Sequence, residues 1–128
     1  MILVDSDVII DLFRDYSPAV AWLDSLEQSE IVLPGFVVME LIQGTRTKPE
    51  LARVETILAP FKVIWPTPEV CSQALTVFAR VYLSHNLGLL DALIGQLAVS
   101  LDEPLVTFNQ RHYAAIPQLR TVQPYDRL

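Results

Sequence analysis

Apolar residues fall along this chain in two alternating kinds of block. The runs ILV at 2–4, IVL at 31–33, FKVIW at 61–65 and PLVTF at 104–108 are short and continuous. Continuous rather than alternating hydrophobicity over so few residues is the pattern of strands buried on both faces. LRTVQPY at 119–125 reads as a short fifth strand. Between the runs the spacing changes to that of helices. VIIDLF at 8–13 suits a first helix, and Pro18 opens a second with Val20, Trp22, Leu23 and Leu26 inward. Pro34-Gly35 ends the second strand, and FVVMELIQG forms a helix closed by Gly44. A helix over about 49–59 places Leu51, Val54 and Leu58 on one face. A longer one over about 67–85 carries Val70, Ala74, Val77 and Val81 as its stripe, and 86–88 supplies a stop signal before a nearly all-apolar helix at 90–101. Strands alternating with helices imply βαβ units, hence an α/β fold with a mostly parallel sheet covered on both faces, built as one domain over 1–128. In such sheets ligands bind beyond the carboxyl ends of the strands. Asp5 follows the first strand and Asn109 the fourth.

Composition sharpens this picture in three ways. The chain is 52% hydrophobic with mean hydropathy +0.36, so a second copy or a partner is expected to cover part of its surface. Its one cysteine, Cys71, has no thiol to pair with, and the start lacks a signal peptide's basic and apolar regions, which points to the cytoplasm. The most apolar stretch, 87–101, contains Asp91 and Gln96 and falls short of the roughly 20 apolar residues of a membrane span. Nine Lys and Arg against fifteen Asp and Glu give a net charge of −6. That balance disfavours binding of nucleic acid by general phosphate neutralisation, so any such role must be local. Arg46, Lys48 and Arg53 cluster, either as a solvated helix face or as a guide for a polyanion.

Three carboxylates interrupt apolar segments: Asp5 at the end of ILV, Glu40 inside VVMELI, and Asp91 near the start of LLDALIGQLAVSL. Isolated buried carboxylates are costly unless paired or metal-bound. A shared divalent cation would hold several in one crevice, and an all-oxygen set favours Mg²⁺ or Mn²⁺ over zinc. Such a site activates water and steadies a phosphoryl transition state. Bland readings stand beside this one. Asp5 could cap a helix and Asp91 could sit at a helix's positive end, whereas Glu40, mid-helix, has neither role. Cys71 reads as a small core residue, and Trp22 and Trp65 as core or partner surface.

MILVDSDVIIDLF, VVMELIQGTR, LLDALIGQLAVSLDEPLVTFNQRHY and IPQLRTV together resemble, over essentially the whole chain, the PIN-domain ribonucleases, in particular VapC toxins of toxin-antitoxin pairs. The resemblance implies a three-layer α/β/α sandwich whose acids bind Mg²⁺ or Mn²⁺ to hydrolyse RNA. It carries the metal-binding acids onto Asp5, Glu40 and Asp91, and the fourth catalytic position onto Asn109, where many members have Asp. Ser6 matches a hydroxyl residue expected to bond a neighbouring carboxylate or water. Asp7 is read as a helix cap in preference to an outer acid, and Asp11 as structural. Arg46, Lys48, Arg14 and His112 are accessory candidates for touching RNA, with a packed or solvent-facing His112 preferred. A small antitoxin that blocks the crevice and a homodimer are the implied partners.

Three rivals stand. A haloacid-dehalogenase-like phosphatase shares the Asp5-Ser6-Asp7 start but needs a downstream Lys and a second acidic pair, which the chain lacks. A receiver domain needs an Asp after the third strand, where FKVIWPTP has none. A PIN-fold module without catalysis, serving to bind RNA or protein, is left open by Asn109.

Overall fold

The computed structural model describes residues 1–127. Five strands, β1 (Ile2–Val4), β2 (Ile31–Pro34), β3 (Lys62–Ile64), β4 (Leu105–Val106) and β5 (Thr121–Val122), form one sheet in the order β3-β2-β1-β4-β5. Every pairing is parallel, with Leu3 opposite both Val32 and Leu105. Seven helices complete the described residues: α1 (Ser6–Phe13), α2 (Ser17–Asp24), α3 (Gly35–Gln43), α4 (Lys48–Leu58), α5 (Pro68–Val81), α6 (Leu89–Leu101) and α7 (Gln110–Tyr113). The expected α/β layering is thus present. Leu3, Val4, Leu33 and Leu105 are fully buried, which is why these strands read as unbroken apolar runs.

The differences from expectation are local. The fourth and fifth strands are shorter than their apolar runs, because only two residues of each pair with neighbours. The helix begun at Pro68 ends at Val81, and residues 82–85 continue as turns with Leu83 93% exposed. On α2, Ala19 rather than Val20 faces inward. Helix α7 was not expected at all, since four residues carry too little periodicity to register. Among the described residues no helix is long and apolar enough to cross a membrane.

Chain order explains where a site can form. From β1 the chain builds outward to β2 and β3, then returns to the other side of β1 as β4 and β5. The direction of winding reverses between β1 and β4, and the connections leaving these strands diverge there to open a crevice at their carboxyl ends. The Asp5 amide donates to the Val106 carbonyl at 3.0 Å, extending the pairing to the crevice floor.

Helix α6 sets the crevice's far wall. Its Gly95 lies against Ile116, Leu119 and Tyr113; a Cβ there would stand 2.4 Å from Ile116 Cδ1. Gly95→Ala should therefore destabilise by about 1–3 kcal/mol through overpacking. A thermal melt checks this, and an unchanged melting temperature would mean that Ile116 can move aside freely.

Candidate active site

Asp5 leaves β1 in an extended conformation and caps α1, its Oδ1 accepting from the Ser6 amide at 2.8 Å. Its Oδ2 accepts from the Thr107 hydroxyl at 2.8 Å, just beyond β4. Thr107 is fully buried and Asp5 is 5% exposed, so this bond ties the two strand ends that flank the winding reversal. One sequence expectation changes here. Asp7 is not the cap, because Asp5 already holds that position. Asp7 instead lies in the first turn and reaches across the crevice, its Oδ2 accepting from the Phe108 amide at 3.0 Å and facing Thr107 Oγ1 at 3.3 Å. Ser6 donates its backbone amide to the neighbouring Asp5 carboxylate.

Glu40 comes from the second half of α3, the helix packed on α1. Asp91 sits in the first turn of α6, accepting from the Gly88 amide at 3.2 Å and from the Tyr113 hydroxyl at 3.3 Å. Asn109 precedes α7, its amide donating to Thr107 Oγ1 at 3.0 Å and its Nδ2 standing 3.0 Å from His112 Nδ1. Asp5, Ser6, Asp7, Glu40, Asp91, Asn109 and His112 line one cleft together with Phe108 and Arg127. Arg46 is exposed at the α3–α4 turn and does not reach it, its amide being engaged by Glu50. Arg14 and Arg53 instead line a neighbouring hollow that also contacts Glu40.

The acids disturb one another's ionisation. Burial, and then the charge of Asp7, push the Asp5 carboxyl up to about 6, although hydrogen bonds from Thr107 and Ser6 pull it back. Glu40 rises to about 7, first through burial and then through Asp5, Asp91 and Asp7. Burial also raises Asp7, opposed by the Phe108 amide. The Tyr113 phenol is pushed up by burial and by the charges of Asp5 and Asp91, so it stays a neutral donor at ordinary pH.

The donor set fits a hard divalent cation. Its side chains are carboxylates, and two buried oxygens, Asp7 Oδ1 and Glu40 Oε1, have no hydrogen-bond partner among the described residues. Among those residues no three His, Cys, Asp or Glu side chains already stand together as a preformed metal cage. Protein donors hold the acids instead: the Thr107 hydroxyl bonds Asp5 and faces Asp7, the Phe108 amide bonds Asp7, and the Gly88 amide and Tyr113 hydroxyl bond Asp91. Glu40 has no such donor on Oε1, so Glu40→Gln should stabilise the protein in chelator by about 1 kcal/mol, allowing for solvent screening. A melt in EDTA checks it, and a lower melting temperature than the parent's would contradict the charge-crowding account.

Thr107, Tyr113 and Arg127 escaped the sequence reading. Thr107 left one usable signal, a polar residue inside the run PLVTF immediately before Asn109. Tyr113 lies in the unexpected helix α7, and Arg127 in a stretch with no periodicity.

Comparison with known proteins places these observations in a lineage. The chain is 31% identical over 125 residues to Ribonuclease VapC19 of Mycobacterium tuberculosis, covering 94% of this chain and 98% of that one. Its fold superposes on the structure described as DNA-bound VapBC from Salmonella typhimurium with a TM-score of 0.81, at 21% identity and covering 98% of this chain and all of that one. A toxin-antitoxin complex from Klebsiella pneumoniae matches with a TM-score of 0.77 at 24% identity, covering 99% of this chain and 100% of that one. The PIN domain family model matches residues 2–117, a span that includes both strand ends and every acid of the cleft, and the chain belongs to the PIN-domain family.

Proposed function

We propose that the chain is a VapC-type endoribonuclease, the toxin of a toxin-antitoxin pair, hydrolysing RNA phosphodiester bonds with Mg²⁺ or Mn²⁺. The observation that carries this reading is the gathering of Asp5, Asp7, Glu40 and Asp91, from three separate stretches of the sequence, in one cleft at the winding reversal. The names of the relative and of the structural neighbours, a ribonuclease and toxin-antitoxin complexes, support it.

Asp5, Glu40 and Asp91 would hold the ion, with Asp7 beside them. When bound, the ion supplies an activated water and neutralises charge on the phosphate under attack. The chain's own residues do the rest. Thr107 donates to Asp5 and fixes the direction of its carboxylate, and Tyr113 does the same for Asp91. Asn109 and His112 form a hydrogen-bonded pair on the cleft's rim, suited to orienting a water or a phosphate oxygen. Because Asn109 carries no charge, the site is best suited to one tightly held ion. The protein acts in the cytoplasm as one domain, as a homodimer restrained by a small antitoxin. Large hydrophobic residues exposed among the described ones, such as Leu75, Tyr82, Leu83 and Leu89, are consistent with covered faces.

Purified, antitoxin-free protein incubated with total RNA should produce fragments with Mg²⁺ or Mn²⁺ and none with EDTA. Intact RNA under every condition would overturn the proposal and favour a binding module.

A further inference from the structure

A cleft lined by four carboxylates repels the parts of the polyanion that the bound ion does not reach, and a fixed cation beside the acids would help to receive the RNA backbone. Among the described residues that line the cleft, the one Lys or Arg is Arg127. Its guanidinium is held in place from several sides. Its Nε donates to Asp11 Oδ2 at 3.2 Å, its carbon lies 3.8 Å from the Phe108 ring centroid, and Nη2 stands 3.4 Å from the Asp7 carbonyl. Asp11 is itself buried and fixed, accepting from the Tyr125 hydroxyl at 2.7 Å. Tyr125 in turn packs edge-on against Phe108. The Arg127 side chain nevertheless stays 43% exposed. A guanidinium offers five N–H donors in a planar fork, and the contacts above leave several free. It also borders the adjoining hollow, lined by Arg14 as well as by Asp7 and Asp11, so a second cation lies beside it.

We propose that Arg127 is a phosphate-docking residue, receiving an RNA phosphate next to the scissile one and seating the strand over the carboxylates. Asp11 is then a positioning residue that aims the fork. This rests on the ribonuclease reading above. A guanidinium already ordered by stacking and an ion pair loses little freedom on gripping a phosphate, and its planar fork suits bidentate contact. Periodicity does not single out Arg127, which becomes relevant only when the chain after β5 folds back to bring it over Phe108, just beyond β4.

The test measures total-RNA cleavage against RNA concentration, over a range of salt, for the parent, Arg127→Ala, Arg127→Lys and Asp11→Asn. Arg127→Ala should raise KM by ~10-fold while lowering kcat by less than about 3-fold, and should flatten the slope of log kcat/KM against log salt by about 1. Arg127→Lys should recover the salt slope but only part of the KM, because it keeps the charge and loses the fork. Asp11→Asn should raise KM with the salt slope nearly retained. Parent-like KM and slope in Arg127→Ala would overturn the assignment. So would a fall in kcat that tracks a fall in melting temperature, since that would mark a structural strap. A parent protein that cuts no RNA would instead refute the ribonuclease reading itself.

Discussion

Replacing Asp5 by Asn should reduce Mg²⁺-dependent RNA cleavage by at least ~10³-fold, since several kcal/mol of charge stabilisation at the phosphate depends on the ion it helps to hold. The substitution is nearly isosteric. Asp5 Oδ1 accepts from Ser6 and Oδ2 from Thr107, and an amide oxygen can keep one of these bonds. The fold should therefore survive, and the metal-free variant should melt no lower than the metal-free parent, because a buried charge beside Asp7 has been removed. Asp91→Asn should behave alike in cleavage, with the Tyr113 hydroxyl retaining an acceptor. Undiminished cleavage by a highly purified Asp5→Asn protein would remove Asp5 from the site.

In chelator, the protein should become less stable as pH rises from about 4.5 to 8. The sign follows from the raised carboxyls. Asp5 titrates near 6 in the fold against 3.8 as a free side chain, and Glu40 near 7 against 4.5. Below the lower values both are protonated folded or unfolded, so burial costs nothing. Above the higher values the folded state must hold both charges, and the full penalty applies. The two shifts together amount to ~4 kcal/mol once screening at partly exposed Glu40 is allowed for, or roughly 15 °C in melting temperature. Mg²⁺ should abolish this decline, because it binds the ionised acids and its affinity grows as they lose protons. Melts at several pH values, with EDTA and with Mg²⁺, check both halves. A flat profile in EDTA would show that the acids are not crowded.

Much of this arrangement was legible in the sequence because burial leaves a mark. The inner strands appeared as unbroken apolar runs, and Asp5, Glu40 and Asp91 stood out because a carboxylate inside such a run needs a reason. The partners of those acids were harder to read. Thr107 and Tyr113 are residues that buried cores commonly contain, and only the pairing of β4 with β1 and the packing of α7 near the start of α6 give them a carboxylate to address. Asp7 was misread because a helix start written Asp-Ser-Asp offers two possible caps. The choice between them is made by the Phe108 amide, 101 residues away. Arg46 looked like a guide for RNA because it is near Glu40 in sequence, but the α3–α4 turn carries it to the outside. Arg127, far from every acid but Asp126 in sequence, comes to the cleft.

The winding reversal between β1 and β4 also bears on when the protein can act. The bond that closes the cleft floor joins Asp5 to Thr107 across 102 residues, and β4 and β5 are held by two-residue pairings. During synthesis the first three strands can assemble while the chain after Asp91 is still inside the ribosome. At that stage Asp5 has no Thr107, Asp91 has no Tyr113, and no cleft exists to hold RNA. On the growing chain, therefore, the cleft cannot form until the segment carrying Thr107 and Tyr113 has emerged.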